Sequence, residues 1–242
     1  MPPSQPIFAS ANGNTFLIFD CRYSHFSKLR MLFWFVTKKV DSCLVLKSDV
    51  NTQSTGYLTY EVYFPKGGFC GNGARAIAHY LAKVNPTQAY SLIIDNYPPI
   101  RIGHAGNYFT FESNLKSDSR DFKLGTLIKF MTEPHMVITD PNYEINSAYL
   151  QSHPLTSYNL TICKVINPTT IQVKTWERGI NRQTLCCGTG ILSSLKVCLD
   201  QHHLNPHANA YRIVTEGGTL HVIRRDKSYY LCGHTYVLYH QK

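Results

Sequence analysis

No apolar run in this chain comes near the length of a membrane span. The densest, Met31-Leu-Phe-Trp-Phe-Val36, covers six residues and suits a buried strand. The opening MPPSQPIFAS has neither the basic start nor the apolar centre of a secretion signal. A cytoplasmic protein with no membrane partner is therefore expected. No two cysteines are spaced as Cys-x-x-Cys, so a zinc cage is not expected. His202, His203 and His207 are read as a solvated loop beside Pro206 rather than as metal ligands. Acidic residues are scarce, 15 against 24 Lys and Arg, which leaves a net charge of +9. Such an excess raises the question of nucleic acid. The basic residues are scattered, however, adjacent only at Lys38-Lys39 and Arg224-Arg225, and no basic helix or aromatic RNA-binding motif is present. No nucleic-acid partner is expected. An acidic small molecule is at least as natural a partner for a basic protein.

What is present is an ordinary globular composition. The chain has 242 residues, 43% of them hydrophobic, and a mean hydropathy of −0.20. That length buries a core without metal or disulfide staples. Most segments alternate with period two and read as strands: 59–64, 90–96, 107–113, 135–140, 170–176, 211–214, 219–225 and 236–240. Gly and Pro punctuate them at Lys66-Gly-Gly68, Asn85-Pro86, Tyr97-Pro-Pro99 and Gly217-Gly218. Two stretches carry helical period instead. From Gly73, the residues Ala74, Ile77, Ala78 and Leu81 share one face; from Gly190, Ile191, Ser194, Leu195 and Cys198 do the same. Many strands with two similarly placed helices imply an α+β fold of two related halves, meeting in the polar stretch 113–120.

Each helical stretch is headed by the same turn: FCGNGA at 69–74 and CCGTGI at 186–191. A helix N-terminus leaves N–H groups unpaired and carries partial positive charge. Glycine there lets an anion approach closely, and a cysteine in the same field is favoured as thiolate. One such unit is an anion cradle with a latent nucleophile or base. If two face each other, they grip one small carboxylate and flank its α-carbon with two thiols. One thiolate then removes a proton while the opposite thiol returns one, which is cofactor-independent racemisation or epimerisation. Of the eight cysteines, only Cys70 and Cys187 directly precede such a glycine. Cys21, Cys43, Cys163, Cys186, Cys198 and Cys232 are read as packing residues, all as free thiols. Taken by themselves, His135 and Glu177 are ordinary strand-end residues.

CGNGAR at 70–75 and ERG followed by TLCCGTG, spanning 177–190, resemble diaminopimelate epimerases. NGNTFLIFD (12–20), EPHMVI (133–138), Tyr158-Asn159-Leu160 and EGGTLHV (216–222) extend the likeness over nearly the whole chain. A proline racemase would share CGTG but carry His after the first Cys-Gly, where Asn72 stands here. The resemblance implies two pseudo-symmetric lobes, each a curved mixed sheet around a central helix. One would run over 1–115, with the last strand, 234–242, returning to it; the other would run over 116–233. It implies no cofactor and an amino-acid substrate, with a homodimer as a candidate assembly. Cys70 and Cys187 would be the acid/base pair. His135 and Glu177 would assist beside the reacting centre. Gly71, Asn72, Gly188 and Thr189 would hold the reacting carboxylate, and Asn14 would touch the polar groups of the reacting centre. Asn159 and Arg178 would reach the distal end of the substrate.

The chain departs from the family pattern around that distal end. Phe64-Pro65-Lys66-Gly67 stands in place of Asn-Ala-Asp-Gly, Glu133 in place of the Asn of Asn-Pro-His, Ser42 in place of Gln, and Gln183 in place of an acidic residue. The expected activity is epimerisation of LL-diaminopimelate to meso-diaminopimelate, for lysine and peptidoglycan synthesis. The alternative keeps the chemistry and changes the substrate to another amino acid such as glutamate or histidine, or relaxes specificity. A non-catalytic or nucleic-acid-binding relative is disfavoured by the presence of both cysteines.

Overall fold

A computed structural model of the chain describes residues 5–48, 56–63, 68–94, 98–105, 108–113, 115, 118–140, 142–153, 155 and 157–238. Two compact units emerge, residues 1–111 with 233–242, and residues 112–232.

The first unit holds β1 (Ile7–Ala11), β2 (Asn14–Asp20), α1 (Lys28–Lys38), β3 (Ser42–Ser48), β4 (Tyr57–Tyr63), α2 (Gly71–Val84), β5 (Tyr90–Ile93), β6 (Ile100–Ala105) and β7 (Tyr108–Ser113), within which the division between the units falls. The second holds β8 (Asp118–Asp121), β9 (Thr126–Phe130), β10 (Glu133–Ile138), α3 (Ser147–Ser152), β11 (Asn159–Asn167), β12 (Thr170–Glu177), β13 (Arg182–Thr184), α4 (Gly188–Asp200), β14 (Ala210–Thr215), β15 (Gly218–Arg225) and β16 (Ser228–Gly233). The last strand, β17 (Thr235–Leu238), pairs with β1.

Pairing follows one scheme in both units. In the first, β17, β1 and β2 are antiparallel neighbours, β2 and β3 parallel, β3 and β4 antiparallel, β4 and β5 parallel, and β5, β6 and β7 antiparallel. In the second, β8, β9 and β10 are antiparallel, β10 and β11 parallel, β11 and β12 antiparallel, β12 and β14 parallel, and β14, β15 and β16 antiparallel. Each parallel step needs a crossover. The two that follow the Cys-Gly turns are supplied by α2 and α4. Helix α2 packs on β1, β2, β6 and β17, and α4 packs on β9 to β12. The helical faces read from the sequence, Ala74-Ile77-Ala78-Leu81 and Ile191-Ser194-Leu195-Cys198, are fully buried. Both helices begin earlier than those faces, at Gly71 and Gly188.

Two expectations are corrected. Met31–Val36 is not a strand but the middle of α1. Ser27 caps that helix by accepting from the Arg30 N–H. Met31, Trp34 and Phe35 sit at i, i+3 and i+4 and pack on Leu17, Phe19 and Val45, while Leu29, Phe33 and Val36 stay exposed. The cap and helical spacing outweigh the strand propensity of a short apolar run. The stretch 113–120 is not all loop, because Asp118–Asp121 forms β8 against β9. Strands β1, β3, β6, β9, β11, β13 and β16 carry weaker alternation or buried faces and were not legible as separate elements. The punctuation at 66–67 and 97, the ends of three expected strands (64, 95–96 and 107), Phe64-Pro65-Lys66-Gly67 and residues 239–242 lie outside the described residues. Among the described residues, no helix is long and apolar enough to cross a membrane. His202, His203 and His207 form no metal-holding group there. All eight cysteines are free thiols.

Candidate active site

In the first unit, Cys70 is the N-cap of α2. Its backbone is extended (φ −116°, ψ 106°), and its Sγ accepts from the Gly73 N–H at 3.3 Å. The Cys70 carbonyl accepts from the Tyr60 hydroxyl at 3.1 Å. A Cβ on Gly73 would lie 2.6 Å from Tyr60 Oη and 2.9 Å from a Leu44 methyl, so glycine lets α2 settle this close to the sheet without displacing either side chain. Asn72 is buried, and its side-chain oxygen accepts from Arg75, which also donates to Asn12 Oδ1 at 2.7 Å. Gly71 and Asn72 stand in the first turn of α2, where backbone N–H groups have no partner within the helix itself. Asn14 opens β2; its Oδ1 is buried and has no hydrogen-bond partner among the described residues. Cys70 itself is half-buried.

In the second unit, Cys187 caps α4 in nearly the same conformation (φ −123°, ψ 110°), with Sγ accepting from the Gly190 N–H at 3.4 Å. What stands behind it differs. Thr189 Oγ1 is 3.4 Å from Cys187 Sγ and 3.0 Å from His135 Nε2. His135 Nδ1 is 2.9 Å from Thr161 Oγ1, which is 3.2 Å from Thr175 Oγ1. Sheet register sets this row. His135 pairs with Asn159 across β10 and β11, and Thr161 with Thr175 across β11 and β12. His135 is fully buried and reaches the sulfur through Thr189. Burial, reinforced by the nearby Arg178 cation, pushes its pKa down to about 3, so the ring is neutral. Burial, reinforced by the Glu177 carboxylate, holds the Cys187 thiol well above the ordinary cysteine range.

The remaining expected site residues of this unit cluster at the ends of β10 to β12. Asn159 is buried, accepting on Oδ1 from the Arg178 N–H at 3.0 Å, with Nδ2 3.4 Å from His135 Nε2. Glu177 accepts from the Thr184 hydroxyl at 2.6 Å. The Arg178 guanidinium lies 3.5 Å from the Glu133 carboxylate, both side chains partly exposed. Gly188 and Thr189 occupy the first turn of α4. Thus Cys187, Thr189, His135 and Asn159 join in one hydrogen-bonded group, with Arg178 tied to Asn159 by its backbone. Cys70, Gly71 and Asn72 are brought together at the start of α2. Sequence reasoning missed Tyr60, Thr161 and Thr175. For the threonines a signal existed: Thr161 lies two residues after Asn159, and Thr175 two before Glu177. Each is therefore on the same strand face as a candidate site residue.

No family model matches the sequence. The diaminopimelate epimerase of Thermotoga maritima is 26% identical over 242 residues, covering 93% of this chain and 95% of that one. Among solved structures, a Pseudomonas aeruginosa protein described as a predicted epimerase superposes with a TM-score of 0.74 at 12% identity, covering 98% of each chain. A hydroxyproline epimerase from Agrobacterium vitis, with trans-4-hydroxy-L-proline bound, superposes with a TM-score of 0.62 at 9% identity, covering 97% of this chain and 90% of that one.

Proposed function

We propose, from the likeness to diaminopimelate epimerases at low identity and to a predicted epimerase in fold, that the chain is a member of the diaminopimelate epimerase-like family and interconverts LL- and meso-diaminopimelate by a two-thiol reaction needing no cofactor. Racemase or epimerase chemistry, and hence an enzyme of the isomerase class, is the firm part. The observation that carries the two-thiol reading is the matched pair of caps: Cys70 and Cys187, with near-identical backbone angles, each at the N-terminus of a glycine-led helix. The first-turn N–H groups of Gly71, Asn72, Gly188 and Thr189 would hold the α-carboxylate. Their hydrogen bonds strengthen as the Cα proton leaves and charge moves onto that carboxylate. The buried Cys187 thiol is protonated at rest, which suits it to donate first, with Cys70 removing the proton. After one turnover the two have exchanged states, and the reverse reaction resets them. Asn14, with its unpartnered Oδ1, would accept from the substrate ammonium.

The finer choice of substrate rests on Arg178 and Glu133, 3.5 Å apart. The distal end of diaminopimelate carries both an ammonium and a carboxylate, and a cation beside an anion matches that zwitterion charge for charge. Glutamate has only a distal carboxylate, which would leave Glu133 opposing it. A second reading, a racemase of another amino acid or of relaxed specificity, is favoured by Glu133 and Ser42 standing where the family carries amides. Deuterium incorporation at Cα in heavy water, measured across diaminopimelate, glutamate and histidine, separates the two. Exchange with diaminopimelate should exceed the others by about tenfold or more, the usual reward of a satisfied polar subsite. Equal exchange with glutamate would remove diaminopimelate as the preferred substrate. Glu133→Gln should narrow the margin, by weakening ammonium recognition.

A further inference from the structure

We propose that Thr161 and Thr175 are positioning residues: they hold His135 as its Nδ1–H tautomer and so make the Thr189 hydroxyl a two-position switch beside Cys187. The proposal rests on Cys187 being one of the two acid/base groups.

The polarity of the row can be assigned from one end. A backbone N–H only donates, so the Asn159 atom 3.0 Å from the Arg178 N–H is the amide oxygen. The amide NH2, which only donates, is then the group 3.4 Å from His135 Nε2. Nε2 is therefore an acceptor, and the single proton of the neutral ring sits on Nδ1. That N–H donates to Thr161 Oγ1 at 2.9 Å, and Thr161 Oγ1 shares a further hydrogen bond with Thr175 Oγ1 at 3.2 Å. On the other side, the Thr189 O–H is the shorter of two donors to Nε2, at 3.0 Å. Its oxygen is left to accept the Cys187 S–H at 3.4 Å.

With Cys187 protonated, the order is S–H to Oγ1 and O–H to Nε2. When Cys187 gives its proton to Cα, the Thr189 hydroxyl rotates from Nε2 to the new thiolate, and the Asn159 NH2 keeps Nε2 satisfied. When the thiolate takes a proton from Cα, the hydroxyl rotates back. Only an S–H and a C–H bond are exchanged. No proton passes through His135, in keeping with a ring buried as neutral.

The first unit supplies an internal control. Leu44 approaches the would-be Cβ of Gly73 as Thr161 approaches that of Gly190. By strand register, Phe16 and Val62 then stand where His135 and Thr175 stand. The same architecture thus packs these positions with apolar side chains. Burying hydroxyls and an imidazole there costs desolvation, which their mutual bonds offset, and packing does not require them. The cap and the row are also built against each other. A Cβ on Gly190 would lie 2.7 Å from Thr175 Oγ1, 3.2 Å from Thr161 Oγ1 and 3.3 Å from His135 Cε1.

Nitrogen-15 histidine labelling of the full chain tests the assignment, with His135 identified by the signal lost in His135→Gln. We expect Nδ1 protonated and Nε2 bare, unchanged between about pH 5 and pH 8, the range in which an exposed histidine titrates. An Nε2–H tautomer or a doubly protonated ring in that range would overturn the proposal. Thr161→Val removes the acceptor for Nδ1–H. The ring proton should move to Nε2, freeing the Thr189 hydroxyl for the sulfur. Iodoacetamide alkylation of Cys187, read on its own peptide, should then quicken about fivefold at neutral pH, the effect of one hydrogen bond. Thr161→Ser should restore both the tautomer and the slow alkylation. A wild-type tautomer and rate in Thr161→Val, or a Ser variant that behaves like Val, would sink the idea. Should Thr161→Val not fold, Thr175→Val carries a smaller change in the same direction, and the wild-type spectrum needs no variant. Neither readout involves a substrate. Absence of any isomerase activity would therefore remove the proposed function, while the spectrum alone decides the tautomer.

Discussion

The two Cys-Gly turns share a backbone and differ in what supports it. At Cys70 the support is a tyrosine hydroxyl on the backbone carbonyl and an arginine clamping Asn72 to Asn12, over an apolar floor that includes Leu44. At Cys187 it is a row of buried hydroxyls and an imidazole that ends on the side chain next to the sulfur. Duplicated architecture therefore explains the caps and not their chemistry. A partly exposed thiol at one turn and a buried thiol beside a carboxylate at the other differ in their surroundings, which suits the opposite parts that the proposed two-base reaction assigns them. Removing each thiol should expose this division most strongly. Cys70→Ala and Cys187→Ala should each lose interconversion by about a hundredfold to ten-thousandfold, the usual worth of a positioned acid or base. Each should still exchange the Cα hydrogen of one stereoisomer through the remaining thiol, and the two variants should label opposite stereoisomers in heavy water. Labelling of the same stereoisomer by both would refute the assignment of one thiol to each face.

The next contrast is between His135 and Phe16, which share a register position in the two units. Phe16 does not titrate. His135 is held neutral, with its pKa lowered to about 3 from an ordinary 6.5. Between those values the unfolded chain binds a proton that the folded chain refuses, so stability rises with pH there. The contribution is complete above about pH 6.5 and is lost progressively as pH falls toward 3. It is on the order of a few kcal/mol at most. Urea unfolding across this range should show a shallower pH slope in His135→Gln than in wild type, and an unchanged slope in Phe16→Leu. Equal slopes in wild type and His135→Gln would mean that His135 is not buried as the neutral ring.

Much of this was legible in the sequence. The doubled Cys-Gly-x-Gly turn, the helices behind it and most alternating strands follow from local rules that six or seven residues express. Long-range register does not. Nothing within β10 or β11 says that His135 ends beside Thr161, because that parallel pairing is fixed by a crossover that the sequence leaves open, and the register that sets Thr161 opposite Thr175 in the β11–β12 hairpin includes a shift between Val165 and Asn167. Helix α1 was misread for the converse reason. Its apolar residues were counted as a run, while the capping Ser27 and the outward-facing Leu29, Phe33 and Val36 make it a helix with one buried face.

The smallest expected difference separates the two second glycines of the motif. Alanine at 73 would press on the Tyr60 hydroxyl and a Leu44 methyl, both far ends of longer side chains that can swing aside. Alanine at 190 would press on Thr175 and Thr161 hydroxyls, which branch directly from Cβ and are held by the hydrogen-bonded row. Overpacking of this kind costs about 1–3 kcal/mol, and the less yielding site should lie at the upper end. Gly190→Ala should therefore lower the urea midpoint more than Gly73→Ala. It should also disturb the His135 nitrogen signals, which Gly73→Ala should leave alone. The reverse ranking would mean that the floor under Cys187 yields more easily than the apolar one under Cys70, and would remove the rigidity on which a switching hydroxyl depends.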